Sequence, residues 1–402
     1  MPSRTQAGDD RRGSDGGAGT AAAAGSRSDG AVLNRWRIGP DPPDRSGGPE
    51  PAGRCPRVYP VKDGRGDTRN ERCGNVNATA NHVAGGTGGE SGLPLGVVTV
   101  TYSPGEHLRA LVDSLPAAAS AGTVLVMADN GSKDGAPEAE AARAEEDGRK
   151  DGLNDAIFLP TGGNVGYGKA ANIGIAELAT MRDAGRIRGD YVLLVNPDVI
   201  FDAGSIDAML ACAVRNPRAG AVGPLIREAD GSAYPSARAV PDLIGGIGHA
   251  LLADVWPSNP FSRRYRDDAD MSRERDAGWL SGACLLLKWD AFGAIGGFDD
   301  RYFMYMEDVD LGDRLGRAGW RNVFCPDAVI RHAQGHSASS HPEITVRAHH
   351  DSAYRFMSDR LPGPWLAPVR MALKIGLSLR GTVILAAKKR RQKAEAGRNP
   401  RS

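Results

Sequence analysis

The sequence predicts an α/β fold, a mostly parallel sheet flanked by helices, closed by a basic amphipathic helical segment at the C-terminus. Three observations carry this prediction. From Leu95 onward, short β-branched apolar runs alternate with stretches whose apolar residues recur at helical spacing. Polar, Gly or Pro residues follow each run directly, as they do where parallel strands end at a ligand-bearing edge. Over 361–402, ten Lys/Arg stand against one acid, Glu395, interleaved with apolar side chains.

The elements follow in order. "LGVVTVTY" (95–102) has the composition of a strand buried on both faces, and Ser103-Pro104-Gly105 turns the chain into the helical "EHLRALVDSL". "TVLVMAD" (123–129) is a second strand, an acidic helix follows, and "AIFLP" (156–160) is a third strand. "NVGYGKAANIGIAELAT" (164–180) is a glycine-rich entry to a helix, and "YVLLVNPDV" (191–199) is a fourth strand running into a turn. Asp129, Asn164 and Asp198 therefore fall together on the carboxyl edge of the sheet. In the second half, "GAVGPLI" (220–226) and "GWLSGACLLLKW" (278–289) read as strands, the latter with small residues at 281–283 for a close approach. Asp290 caps a short helix, "MEDVDLGDRLGRAGW" opens a longer one, and "NVFCPDAVIRH" (322–332) is extended. A helix near 345–360 and the basic stretch 365–391 end the chain.

Three regions result: a disordered N-terminal extension (1–92), a catalytic domain (93–342) and a C-terminal helical, basic segment (343–402). Residues 1–90 contain 18 Gly and 8 Pro and no apolar period, so they cannot bury enough surface to offset their ordering entropy. The net charge of +1 over 402 residues provides no global field to recruit nucleic acid. Five widely spaced cysteines without a CxxC pair suggest reduced thiols in a cytoplasmic setting. No signal-peptide h-region or membrane span is visible; Met371–Ala387 comes nearest but is broken by Lys374 and Arg380.

Four stretches carry candidate chemistry. "VNPDV" is a turn in which Asp198 either accepts backbone hydrogen bonds or holds a hard divalent cation. In "GNVGYGKAANIG", Gly166-x-Gly168-x-x-Ala171 partly matches a dinucleotide fingerprint, with Asp190 about twenty residues on, but it follows the third strand and not the first. Its helix start could still meet a diphosphate, or simply pack closely. In "MEDVDL", Asp310 is explained by the helix dipole alone, whereas Glu307 and Asp308 beside apolar surface have the setting of a general base. "IRHAQGHS" supplies His332 and His336, and His332 gains a role only near Asp198. Arg238, in "YPSARAV", could reach a phosphate.

Taken together, seven stretches in order and spacing resemble family 2 glycosyltransferases of the GT-A (Rossmann-like) fold. They are "VVTVTYSPG", "ADNGSKDG", "GGNVGYGKAANIGI", "LLVNPDV", "WLSGACLLLKWDAFGAIGGFD", "FMYMEDVDLGDRLGRAGW" and "IRHAQGHS", covering about 95–340. "GPLIREADGSAYPSAR" and "YFMYMEDVDLGDRLG" are especially similar to the actinobacterial branch that moves L-rhamnose from dTDP-L-rhamnose to a GlcNAc-diphospho-polyprenol in cell-wall linker assembly. The resemblance implies donor contacts at Thr101, Tyr102, Asp129, Asn164, Gly166, Asn172 and Asn196. It implies a divalent metal, Mg²⁺ or Mn²⁺, at Asp198 and His332, with Asn196 in the first acidic position of the family's DxD motif. It implies Asp308 as catalytic base with Glu307 beside it, and the aromatic run 302–305 as a wall for the acceptor sugar. The expected partners are a dTDP-sugar, a polyprenyl-diphosphate-linked acceptor and an anionic membrane surface, with no specific nucleic acid. The expected place is the cytoplasmic face of the plasma membrane. Two other classes remain open on the residues alone: a nucleotide-binding oxidoreductase built on "NVGYGKAA", and a silent sugar-nucleotide-binding module.

Overall fold

The computed structural model describes residues 92–146, 153–241, 270–332 and 342–398. The predicted N-terminal extension lies outside these residues, except for Gly92, as does His336.

The first half realises the alternation of the sequence: β1 (Leu95–Thr101), α1 (Glu106–Ala118), β2 (Thr123–Asp129), α2 (Ala136–Glu146), β3 (Leu153–Pro160), α3 (Tyr167–Asp183) and β4 (Tyr191–Val195). β3, β2, β1 and β4 lie side by side and all parallel. Every residue of β1, β2 and β4 is buried, as expected of strands covered on both faces. Adjacent residues feed opposite cores. Val97, Leu125 and Leu193 pack with Leu108, Leu111 and Leu115 of α1; Val98, Val126 and Leu194 pack with Ile175 and Leu178 of α3.

The chain continues through β5 (Val199–Phe201), α4 (Ser205–Arg215), β6 (Ala219–Arg227), β7 (Ala233–Tyr234), β8 (Ala237–Arg238), β9 (Arg275–Ala277), β10 (Trp279–Leu280) and β11 (Cys284–Lys288). α5 (Trp289–Ala294), α6 (Glu307–Arg317) and β12 (Arg321–His332) complete the sheet region. The main sheet order is β3-β2-β1-β4-β11-β6-β12-β5. β11 runs antiparallel to both neighbours, so the sheet is mixed, with β3-β2-β1-β4 parallel on one side of it and β6 and β12 parallel on the other. The stretch read as one strand over 278–289 is broken. β10 pairs with β8 in a separate two-stranded sheet, and Ser281–Ala283 turn into β11. The run read as one strand over 191–199 is also split, since β5 leaves the turn at 196–198 to pair antiparallel with β12.

α7 (Pro342–Asp359), a 3₁₀ turn (Pro364–Leu366) and α8 (Ala367–Arg398) end the chain. Phe356 and Met357 of α7 form a third apolar cluster with Trp279, Tyr302 and Val309. Among the described residues, no helix is long and apolar enough to cross a membrane. Cys212, Cys284 and Cys325 are free thiols.

Candidate active site

The ends of β1 and β2 are locked together by Asp129. Thr101, opposite Asp129 in the parallel register, donates from Oγ1 to Asp129 Oδ1 at 2.7 Å. The Gly131 and Ser132 amides donate to Oδ2, each at 2.9 Å, and the Ser132 hydroxyl donates to Oδ1. Burial pushes the Asp129 carboxyl up, but the Ser132 and Thr101 hydrogen bonds and the two amides outweigh it, so the group lies below its ordinary value. Thr101 and Asp129 are both buried. Their polar atoms hold the loop in shape, while Tyr102, 44% exposed, is the residue of this edge open to solvent. Asn130 extends the same scaffold. Its amide nitrogen donates to the Gly166 carbonyl (3.3 Å) and its oxygen accepts from Thr161 Oγ1 (2.9 Å).

At the start of α3, two of the amides expected to meet either a diphosphate or close packing are engaged within the protein. The Gly166 amide donates to Asn164 Oδ1 (3.3 Å) and the Tyr167 amide to the Phe303 carbonyl (2.9 Å), so neither is vacant. Gly166 has φ +91°, and a Cβ there would lie 2.5 Å from the Phe303 oxygen. Only glycine lets α3 approach the 302–306 loop this closely. Asn172 is likewise engaged inside the protein. Its side chain donates to the Phe298 carbonyl and Asp300 Oδ1, both at 2.9 Å, and accepts from the Phe298 amide at 3.0 Å. It braces the Gly296–Asp300 turn.

The turn after β4 assembles Asn196, Asp198 and His332. The antiparallel register sets His332 opposite Val199, which brings its Nε2 to 3.0 Å from Asp198 Oδ1 and 3.4 Å from Asn196 Nδ2. Burial pushes Asp198 up, but the His332 hydrogen bond and charge prevail and hold it low. Among the described residues no three His, Cys, Asp or Glu side chains converge; what the turn brings together is one carboxylate, one imidazole and the neighbouring amide.

Glu307 and Asp308 open α6 after a strained turn. Tyr305 and Met306 both have left-handed backbones, φ +68° and +66°, a conformation that costs a non-glycine residue energy and recurs at functional sites. Asp308 accepts from the Gly282 amide on Oδ2 (3.0 Å) and from the Val309 amide on Oδ1 (2.8 Å). The break between β10 and β11 thus has a purpose: Gly282, which carries no side chain, lies against the carboxylate, and a Cβ would be 3.3 Å from Asp308 Cβ. Burial still drives Asp308 above its ordinary value, against the backbone hydrogen bonds and the charge of Arg238. Arg238 pairs across from Trp279 and lies 6.0 Å from its ring centroid. Glu307 is 8% exposed and its Oε2 has no hydrogen-bond partner among the described residues. Burial first, then the charge of Asp308, pushes Glu307 up to about 8. Asp310 is tied to Arg314 at 2.6 Å, and Arg314 to the Ile295 and Gly297 carbonyls, so the third acid holds α6 in place.

Tyr167 is the site residue that the sequence reading passed over. From the first turn of α3 its hydroxyl donates to the Gly282 carbonyl (3.0 Å). Burial and the nearby charges of Glu307, Asp308 and Asp198 hold that hydroxyl well above its ordinary value, so it stays protonated. A large aromatic carrying a hydroxyl amid glycines at a helix start was the available signal. The aromatic wall also needs correction. Tyr302 is 1% exposed and belongs to the core, whereas Phe303 is 42% exposed and Tyr305 packs edge-on against His349. Buried apolar contacts claim Tyr302 before any sugar could.

This chain matches the family described as "Glycosyltransferase like family 2" over residues 93–350. It is 49% identical over 301 residues to the N-acetylglucosaminyl-diphospho-decaprenol L-rhamnosyltransferase of Mycobacterium tuberculosis, spanning 74% of this chain and 95% of that protein. It is 28% identical over 200 residues to rhamnosyltransferase WbbL of Escherichia coli K12, spanning 49% and 72% of the two chains. Among solved structures, the mannosyltransferase PcManGT from Pyrobaculum calidifontis in complex with GDP-Man and Mn²⁺ is similar over 78% of each chain, at 18% identity and a TM-score of 0.44. With the family matched across most of its length and a relative of 49% identity covered almost end to end, this chain belongs to the family 2 glycosyltransferases.

Proposed function

We propose that this protein transfers L-rhamnose from dTDP-L-rhamnose to a polyprenyl-diphosphate-linked GlcNAc, with inversion at the anomeric carbon. The observation that carries the reading is Asp308, a carboxylate held on both oxygens by backbone amides at a strained turn. The 49% identity to a rhamnosyltransferase named for that acceptor supports the choice of sugar and acceptor. The acceptor hydroxyl oxygen bonds to the anomeric carbon of rhamnose while the bond from that carbon to the dTDP oxygen breaks. The leaving diphosphate keeps the bonding pair, and Asp308 takes the hydroxyl proton. A carboxylate destabilised by burial gains proton affinity, which suits that task. Glu307, in its neutral acid form, adds no second full charge beside the base.

The ligand set suits a divalent cation. One carboxylate with substrate diphosphate oxygens is a common arrangement for Mg²⁺ or Mn²⁺, and Asp198 with His332 and Asn196 offers that incomplete set. A cation held there stabilises negative charge developing on the leaving diphosphate. Tyr102 and Asn164, at the carboxyl edge, complete the donor side in this reading, with Thr101, Asp129 and Gly166 shaping the backbone around it.

α8 is the element we assign to an anionic membrane surface. Met371, Ile375, Leu379 and Val383 are exposed at four-residue spacing, with Trp365 76% exposed ahead of them. Lys374 and Arg380 lie on the same helix, and a Lys/Arg-rich run begins at Lys388. An apolar strip with basic neighbours fits an interfacial helix, and it would keep the enzyme near a lipid-linked acceptor.

Calorimetric titration with dTDP-L-rhamnose, UDP-glucose and NAD⁺, with Mn²⁺ or with EDTA, tests the donor reading. Binding of the dTDP-sugar alone, at least 10-fold weaker in EDTA, is expected. Preference for a UDP-sugar, or indifference to EDTA, would contradict it.

A further inference from the structure

A second polar site lies on the acceptor side, between the 301–303 loop and α7. It is a cavity of about 280 Å³ lined by Arg301, Phe303, Arg347, Asp351, Ser352 and Arg355, with Ala348 beside them. Arg347, Asp351 and Arg355 recur every four residues, so they form one face of α7. Ser352 fastens that face to the catalytic loop, its hydroxyl donating to the Met304 carbonyl at 2.9 Å.

The three guanidinium groups differ in how they are engaged. Arg301 bridges Asp299 (2.6 Å) and Asp359 (2.8 Å). Arg347 has only a loose contact with Asp351, at 3.7 Å between two exposed side chains, and such pairs contribute little. Arg355 is half-buried and, among the described residues, has neither an ion pair nor a hydrogen bond. A partly desolvated cation without a counter-ion is costly unless an anion joins it. The planar fork of arginine matches the oxygens of a phosphate.

The location decides which anion. The cavity is walled by the segment that runs directly into Glu307 and Asp308. Phe303, 42% exposed, lines the cavity and accepts the Tyr167 amide on its carbonyl. The flank of α7 beside Arg347 packs on α8, where Lys374 lies 5.7 Å from the Tyr354 ring centroid. The cavity thus lies between α7, which packs on α8, and the loop that leads to Asp308. The donor diphosphate belongs elsewhere, at the Asp198 turn.

We propose that Arg355, with Arg347 and Arg301, binds the diphosphate of the lipid-linked acceptor, and that Phe303 borders it with apolar surface. This rests on the acceptor class proposed above, so the test separates the two. Full-length protein is first saturated with dTDP to fill the donor site, then titrated with geranyl diphosphate. Arg355→Ala is expected to weaken that binding at least 10-fold, with Arg355→Lys between it and wild type, and with unchanged circular dichroism. In transfer assays Arg355→Ala should raise KM for a GlcNAc-diphospho-lipid at least 10-fold and leave KM for dTDP-rhamnose unchanged. Binding to phosphatidylglycerol vesicles should also be unchanged. Equal geranyl diphosphate affinity in wild type and Arg355→Ala would overturn the proposal. A parallel loss of vesicle binding would overturn it too, by assigning the cavity to a lipid headgroup. Failure of the rhamnosyl reading would show instead as a different donor preference with diphosphate binding intact.

Discussion

Asp129 and Asp308 are both aspartates at turns beside the sheet, yet their surroundings drive them in opposite directions. Asp129 accepts four hydrogen bonds from Thr101, Gly131 and Ser132 and is held below its ordinary value. Asp308 accepts two, has Glu307 beside it, and is pushed above its ordinary value by burial. Around Asp129 polar side chains bond within the protein, and Thr101 and Asn172 do so as well. The turn at Asp308 has two left-handed residues, against one, Ser103, beside Asp129, and among the described residues Glu307 Oε2 there has no hydrogen-bond partner. In the reaction proposed above, the self-bonded Asp129 region would position the donor and Asp308 would meet the acceptor.

The contrast can be broken by exchanging one carboxylate at a time. Asp308→Asn should lower the transfer rate about 10³-fold, within the range for loss of a general base, while dTDP-sugar affinity by calorimetry stays within 3-fold. Tyr167→Phe comes next. It removes the hydroxyl that anchors the Gly282 carbonyl, and through Gly282 the base. kcat should fall about 10-fold with KM for the donor unchanged; a change in KM alone would make Tyr167 a donor contact.

Asp129→Asn should act on stability. Because its folded pKa is lowered, Asp129 contributes stability that is present above the ordinary aspartate value and lost as pH falls through the lowered one. The variant should therefore lose about 1–3 kcal/mol at pH 7, and the deficit should shrink in denaturant titrations below pH 4. Glu307 has the opposite sign. Its pKa is raised to about 8, so its contribution is fully present below the ordinary glutamate value and is lost as pH rises through about 8. Glu307→Gln should raise Tm at pH 9 by about 2–4 °C and leave it unchanged below the ordinary glutamate value, near pH 4.

The parallel half of the fold was legible because β-branched runs and the turns after them are local signals. The break at Ser281–Ala283 was not, because it is imposed by Asp308, whose carboxylate takes the Gly282 amide across 26 positions of sequence. The internal partners of Asn172 were hidden for the same reason: Phe298 and Asp300 lie 126 and 128 positions away. The pairing of Asp198 with His332 was foreseen only as a condition, and the β5–β12 register met it. Tyr302 was read as part of a binding wall because an aromatic run looks alike whether it lines a cleft or a core. Its neighbours Val309 and Phe356 made it core.

The most direct test is a transfer assay on the full-length protein, with dTDP-L-rhamnose, UDP-glucose and UDP-galactose as separate donors and a GlcNAc-diphospho-lipid as acceptor. The account predicts a rhamnosylated lipid product from dTDP-L-rhamnose alone, with inverted anomeric configuration. Transfer of another sugar, or a product with retained configuration, would contradict it.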